Sequence, residues 1–217
     1  MLSRWTQSVD IGTGEMTSEG DYTIIAANRA GCDDLGAILG ERGEGARCQC
    51  QRYKLAPREA FKHHPAQVRA ERLRSQTRCG HPDGPTSGLV AYLGAEPVGW
   101  CAVEPRNAYA GLARVYRVPW AGRAEDKADG TVWAVTCFFA RAGYRRRGVS
   151  RALAAAAVDH ARAGGARAVE GYPMITEPGR EIAWGELHVG SHTIFAAAGF
   201  REVGRPTPRR AVMRIDF

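Results

Sequence analysis

The 217-residue sequence predicts an α/β protein built on one mixed sheet, and three observations carry that expectation. The runs LVAYL and VGWCAV flank a Gly-Ala-Glu-Pro turn at residues 94–97, the pattern of a hairpin that starts a sheet. The run TVWAVTCFFA (131–140) is almost continuously apolar, as a strand buried on both faces should be. The segment GVSRALAAAAVDHARAGGA then places small or apolar residues at Val149, Ala152, Leu153, Ala156 and Ala157, a helical period stopped by Gly164 and Gly165. With ARAVEGYP beginning a further strand, residues 131–172 form a βαβ unit whose two strands run parallel in a parallel or mixed sheet.

The remaining elements follow in order. Residues 1–20 mix Gly, Ser, Thr and charge without period and are expected to form a flexible leader, with residues 21–217 as a single domain. A short strand spans residues 22–27, and Asp33 and Asp34 then open a helix that ends near Gly40. Pro57 opens a polar helical stretch to about residue 78, broken at Pro65, and the turn-rich CGHPDGPTSG precedes the hairpin. Residues 106–130 lack regular pattern and read as a surface excursion. A short helix over about 189–198 and strands near 200–203 and 212–217 complete the chain.

Composition narrows the function classes. With 44% hydrophobic and 24% charged residues the chain is globular, and at this length it can bury about 70% of its unfolded surface. No stretch approaches the ~18 apolar residues that cross a bilayer and no basic-then-apolar signal opens the chain, so a cytoplasmic location with no membrane partner is expected. The six cysteines are accordingly expected as free thiols. A net charge of +7, carried by 27 arginines and three lysines, favours anionic partners without choosing among them.

The most informative segment is Tyr144-Arg145-Arg146-Arg147-Gly148-Val149-Ser150-Arg151, which lies between the buried strand and the first turn of the strong helix. The first N–H groups of a helix have no internal acceptor and sit at the positive end of its dipole, so a phosphate placed there accepts several hydrogen bonds. Gly148 lets the backbone approach closely, and guanidinium groups match phosphate oxygens in pairs. Neither G-x-x-x-x-G-K-[ST] nor G-x-G-x-x-G opens a helix here, so a different phosphorylated cofactor is implied.

The order strand, Arg145-x-x-Gly148-x-Ser150, helix resembles the pattern strand, [Q/R]-x-x-G-x-[G/A], helix of the GNAT superfamily of acyl-CoA-dependent N-acetyltransferases, with Ser150 in place of Gly or Ala and Arg146 in place of a common glycine. The hairpin at 88–104 and SHTIFAAAGF (191–200) extend the resemblance, which covers about residues 21–217, the cofactor-binding half beginning near residue 88. It implies a GNAT-type mixed, twisted central sheet with helices on both faces and splayed fourth and fifth strands. It also implies acetyl-CoA as cosubstrate, its pyrophosphate on the backbone of Arg145, Arg146, Arg147, Gly148, Val149, Ser150 and Arg151, and its pantetheine arm along Cys137, Phe138, Phe139 and Ala140. The implied activity is N-acetyl transfer to a primary amine of a small molecule or a protein.

An amine of pKa near 10.4 attacks only when neutral, which at pH 7 costs roughly 4.6 kcal/mol, so a base or a desolvating pocket is required. Glu104, at the end of the hairpin's second strand, and Glu170 are the candidate bases, with His188 and His192 behind them. Many members of the superfamily use a tyrosine four residues before the Gly-Phe pair as the acid, but Phe195 stands there, which leaves Tyr172, on the same strand face as Glu170, or water to protonate the thiolate. Glu177, Glu181 and Glu186 offer negative charge to a cationic acceptor.

Cys48-x-Cys50 and Cys79-x-His81 present zinc-type ligands, but C-x-C is shorter than the usual knuckle and no metal is expected. On its buried strand Cys137 reads as a small apolar thiol. A nucleic-acid module is the weaker alternative, since the basic residues are scattered and no aromatics interleave with Arg145, Arg146 and Arg147. An acyl-CoA sensor without catalysis is a second alternative, suggested by Phe195. Apolar strands near the C-terminus would allow a homodimer.

Overall fold

The computed structural model describes residues 16–17, 22–177, 179 and 182–217. Its centre is one sheet of eight strands: β1 (Met16–Thr17), β2 (Tyr22–Ala26), β3 (Gly88–Leu93), β4 (Glu96–Pro105), β5 (Val132–Ala140), β6 (Ala168–Gly171), β7 (Arg201–Thr207) and β8 (Arg210–Asp216). Their spatial order is β1-β2-β3-β4-β5-β6-β8-β7, antiparallel throughout except for β5 and β6. That parallel pair is the predicted βαβ unit, and its crossover is α5 (Val149–Ala163).

The helices divide between the faces. On one face α5 packs Val149, Leu153, Ala157 and Ala161 against Ile24, Leu89, Val98, Val103 and Val135. The opposite face is covered by α1 (Cys32–Leu39), whose Leu35, Ile38 and Leu39 meet Val90, Trp100 and Phe139. At the N-terminus of α1 the Asp34 carboxylate accepts from the Gly31 N–H at 2.9 Å, a side-chain cap of the kind the two aspartates predict. Next to α1 lie α2 (Gly43–Cys48) and α3 (Ala66–Thr77), the latter starting directly after Pro65. The short helices α4 (Ala110–Val115), α6 (Trp184–Leu187) and α7 (His192–Ala197) complete the chain.

Three features of the sheet prepare the site. Glycine at 99 lets α5 seat: a Cβ there would meet a Val149 methyl at 2.3 Å, so the head of the helix rests directly on β4. The β4–β5 register shifts between Ala102, opposite Cys137, and Val103, opposite Val135, so Thr136 is a bulge on β5. Pairing of β5 with β6 ends at Val135 opposite Gly171, and the remaining half of β5 parts from β6.

Several expectations are revised. Of the leader, Met16–Thr17 pair with β2 as an edge strand, and the rest lies outside the described residues apart from those two positions. The excursion at 106–130 is anchored in the interior: Arg106 is 1% exposed, and its guanidinium reaches Glu170 at 3.0 Å. The six cysteines are not all free, because Cys32 at the head of α1 and Cys79 just past α3 are disulfide-bonded, with Cα atoms 5.0 Å apart. Packing α1 beside α3 brings together residues 47 apart in sequence, a proximity no local pattern encodes. Among the described residues, no helix is long and apolar enough to cross a membrane.

Candidate active site

The turn from β5 into α5 has the geometry that an anion requires. Gly148 adopts φ +86° as the residue before α5, and a Cβ built on it would meet nothing within 4 Å, so the space in front of the helix is open. Its carbonyl accepts from the amides of Arg151 (2.9 Å) and Ala152 (3.0 Å), while the amides ahead of these have no intrahelical acceptor. Arg146, at φ +60°, is a second left-handed residue in the turn. The Tyr22 hydroxyl donates to the Arg147 carbonyl at 2.7 Å and ties the turn to β2. Arg145, Arg146, Arg147 and Arg151 are exposed, and among the described residues none of them pairs with a carboxylate. Val149 is buried under β4 and Ser150 is half-buried at the start of the helix.

Next to this turn the parted half of β5 borders a gap. Cys137 and Phe139 face α1, Phe138 faces α5, and Ala140 lies opposite Gly99 at the open end. Phe195 fills the inner end: it is fully buried, its ring stands 5.6 Å from Phe138, and a Cβ on Gly171 would strike it at 2.1 Å. A tyrosine hydroxyl at that position would be buried among these rings. The Phe138 N–H donates to the carbonyl of His188 at 2.7 Å, so the 188–190 segment lies beside β5 where β6 has left. The His188 ring is fixed as well: Nδ1 donates to the Gly185 carbonyl (2.9 Å), so Nε2 accepts from the Tyr53 hydroxyl (3.2 Å). Burial, reinforced by the charge of Arg52, pulls the His188 pKa down to about 4 and keeps the imidazole neutral.

The two candidate bases sit in different surroundings. Glu170 is fully buried in β6 and receives Arg106 (3.0 Å), Arg123, Arg214 (2.8 Å) and the Tyr172 hydroxyl (2.9 Å). Burial pushes its carboxyl up, but the guanidiniums of Arg123, Arg106 and Arg214 outweigh that and hold it below the usual range. With its lone pairs filled, Glu170 has no oxygen left for a substrate proton. Tyr172 is buried beside it, and burial followed by the Glu170 charge pushes its phenol well up. Glu104 ends β4 on the α1 side, where its Oε2 accepts from Ser87 (3.1 Å) and its Oε1 meets the Lys54 ammonium.

Glu104 also lines a cavity of about 790 Å³ at the foot of the sheet, shared with Asn28, Ser87, Asn107, Trp133 and His160. Loops 55–87 and 105–130 supply much of its lining, while Asn28 and His160 carry no sequence signal for the site. The sequence also offers Glu177, Glu181 and Glu186 to a cationic acceptor. Of these, Glu186 pairs with Arg209 at 3.0 Å, and Glu181 lies outside the described residues. Cys79 is committed to Cys32, which separates it from Cys48 and Cys50, and among the described residues no group of three or more His, Cys, Asp or Glu side chains could hold a metal.

Known structures share this architecture. An N-acetyltransferase from Staphylococcus aureus Mu50 superposes with TM-score 0.51 at 15% identity, covering 91% of this chain and 99% of that one. A GNAT-family acetyltransferase from Bacillus anthracis gives TM-score 0.51 at 11% identity, covering 93% and 98%. At such identities these similarities speak for the fold alone. No curated protein sequence matches the chain. The model of the acetyltransferase (GNAT) family matches residues 50–174, more than half of the sequence, and spans the β5 bulge, the arginine-bearing turn and α5: the chain belongs to that family.

Proposed function

We propose that the protein is an N-acetyltransferase that moves the acetyl group of acetyl-CoA to a primary amine by direct attack in a ternary complex. The observation that carries this reading is the turn at Gly148: a left-handed glycine before a long helix, open space in front of it, and four arginines with no carboxylate partner among the described residues. The pyrophosphate rests on the amides of residues 145–151 and the pantetheine arm follows Phe138, Phe139 and Ala140 on the parted half of β5. The amine enters from the foot of the sheet, and of the two carboxylates Glu104 is the base. Glu104 lines the cavity, and an incoming ammonium would compete with Lys54 for its Oε1. The tetrahedral intermediate places its oxyanion at a β5 backbone N–H, and the proton that leaves the nitrogen returns to the CoA thiolate. Tyr172, whose hydroxyl is held by Glu170, stabilises that cluster, which leaves water as the acid.

A second reading, a catalytically weak acyl-CoA sensor, is favoured by Phe195 in the gap and by the His188 carbonyl on the Phe138 N–H. The deciding measurement is the melting temperature with 1 mM acetyl-CoA, against 1 mM ATP and NADH. For a dissociation constant near 10 μM the midpoint rises by roughly 5 to 10 °C with acetyl-CoA. An equal rise with all three, or none, overturns the cofactor assignment. Glu104→Gln then separates the two readings: an enzyme loses the ascending, acid-side limb of its pH-rate profile, whereas a sensor binds acetyl-CoA and turns nothing over.

A further inference from the structure

The Cys48-x-Cys50 motif takes no part in the proposed reaction, yet the fold carries one of its thiols to the cofactor strand. Cys50 follows α2 in a tight turn in which Gln49 (φ +48°) and Cys50 (φ +51°) are both left-handed. The turn is pinned from behind: Gln51 is fully buried and its amide bonds Gln76 of α3 at 2.8 Å. This presents the half-buried Cys50 sulfur to the α1-side face of β5, 3.5 Å from the sulfur of Cys137, 87 residues away in sequence and directly after the Thr136 bulge. The Trp100 indole N–H donates to Cys50 Sγ at 2.9 Å, which leaves the Cys50 S–H directed at Cys137. Both sulfurs are free, and neither belongs to the Cys32–Cys79 bridge.

We propose that Cys50 and Cys137 are an oxidisable dithiol, a modification site that closes to a disulfide by exchange with a low-molecular-weight disulfide. The sulfurs must approach from 3.5 Å to about 2.05 Å, a movement the half-buried 49–50 turn can supply. Cys50 is the entry point because Cys137 is 5% exposed. The Cys50 sulfur attacks one sulfur of the small disulfide RSSR, forming the mixed disulfide and expelling RS⁻, which leaves as RSH with the Cys50 proton. The Cys137 sulfur then attacks Cys50 Sγ, expelling a second RS⁻ that takes the Cys137 proton. Two electrons pass from the two protein thiols to RSSR, and two RSH are released.

The bridge would tie the turn after α2 to the strand residue next to the bulge. Of the other free thiols, Cys101 belongs to the α5-side core and Cys48 is buried at the end of α2. The inference does not depend on the acyl-transfer reading.

The test uses the full chain and oxidised glutathione in excess, with thiols blocked before denaturation and digestion. Free thiols fall from the four of the untreated protein to two, and mass spectrometry finds the Cys50 and Cys137 peptides linked. Cys48→Ser still loses two thiols, whereas Cys50→Ser, a mild change at a half-buried site, loses none to a bridge. A count that stays at four, a stable glutathione adduct on Cys50 without a crosslink, or linkage of Cys50 to Cys48 overturns the proposal.

Discussion

Two groups of arginines stand in this molecule, one at the head of α5 and one beneath β6. Arg145, Arg146, Arg147 and Arg151 are exposed, without carboxylate partners among the described residues, and gathered in a seven-residue stretch around a helix N-terminus. Arg106, Arg123 and Arg214 come from distant parts of the chain and converge on one buried carboxylate, Glu170. The charge is the same and the consequence is opposite. In the first group no carboxylate among the described residues neutralises the guanidiniums, so they remain available to a ligand. In the second the ion pairs are complete, with Glu125 joining Arg106 and Arg123, and the cluster fastens the 106–130 excursion to the sheet. The difference lies in the partners rather than in the residue type, because a buried ion pair is favourable only when every member is matched.

The sharpest way to break this contrast is to remove the shared carboxylate. Glu170→Gln leaves three guanidiniums facing a neutral amide in the interior and is expected to cost about 3 to 5 kcal/mol in urea unfolding, without a specific effect on acetyl-CoA affinity once folded. Full stability with lost turnover would instead make Glu170 a catalytic group. Acid probes the same side of the sheet through His188. Its folded pKa of about 4 lies below the unfolded value near 6.5, so the unfolded chain takes up the proton first. The stability His188 contributes is therefore present above pH 6.5 and lost as pH falls toward 4, a slope worth on the order of 3 kcal/mol that His188→Gln should flatten. Glu170 works in the same direction at lower pH, since a carboxyl held below its unfolded value loses its contribution as it becomes protonated.

Changes in the first group should move binding and leave folding alone. Gly148→Val forces a branched side chain into φ +86° and fills the open space, and is expected to weaken acetyl-CoA binding more than tenfold by calorimetry at a stability cost of roughly 1 to 2 kcal/mol. Arg147→Ala should weaken it about five- to tenfold and lower its salt dependence, with a melting temperature within about 2 °C of the parent. If Arg147→Ala destabilised the protein as strongly as Glu170→Gln, the distinction between the two groups would collapse.

The sequence makes the first group readable and hides the second. The Gly148 turn is local: strand, arginine run, glycine and helix stand side by side in the chain, and each has its own period or turn signal. The βαβ unit and the 88–105 hairpin are legible for the same reason, since alternation and helical spacing are short-range patterns. Glu170 looks like an available base from sequence because its partners lie 64, 47 and 44 residues away. The Cys32–Cys79 bridge and the Cys50–Cys137 contact are hidden by the same distance. Helix α2 escapes notice because GEGARC carries two glycines and scarcely any apolar period, and it is held by packing of Gly45 on the Phe139 ring rather than by propensity.

The hydrogen bond from the Phe138 N–H to the His188 carbonyl bears on solubility as well as on binding. A sheet that parts between two central strands exposes interior edges, and rows of unsatisfied donors and acceptors there invite strands from other chains, the same hazard that outer edges present. The 188–190 segment caps this edge with the protein's own backbone. Mutations that loosen this segment should therefore promote aggregation of the unliganded protein even where its core is untouched.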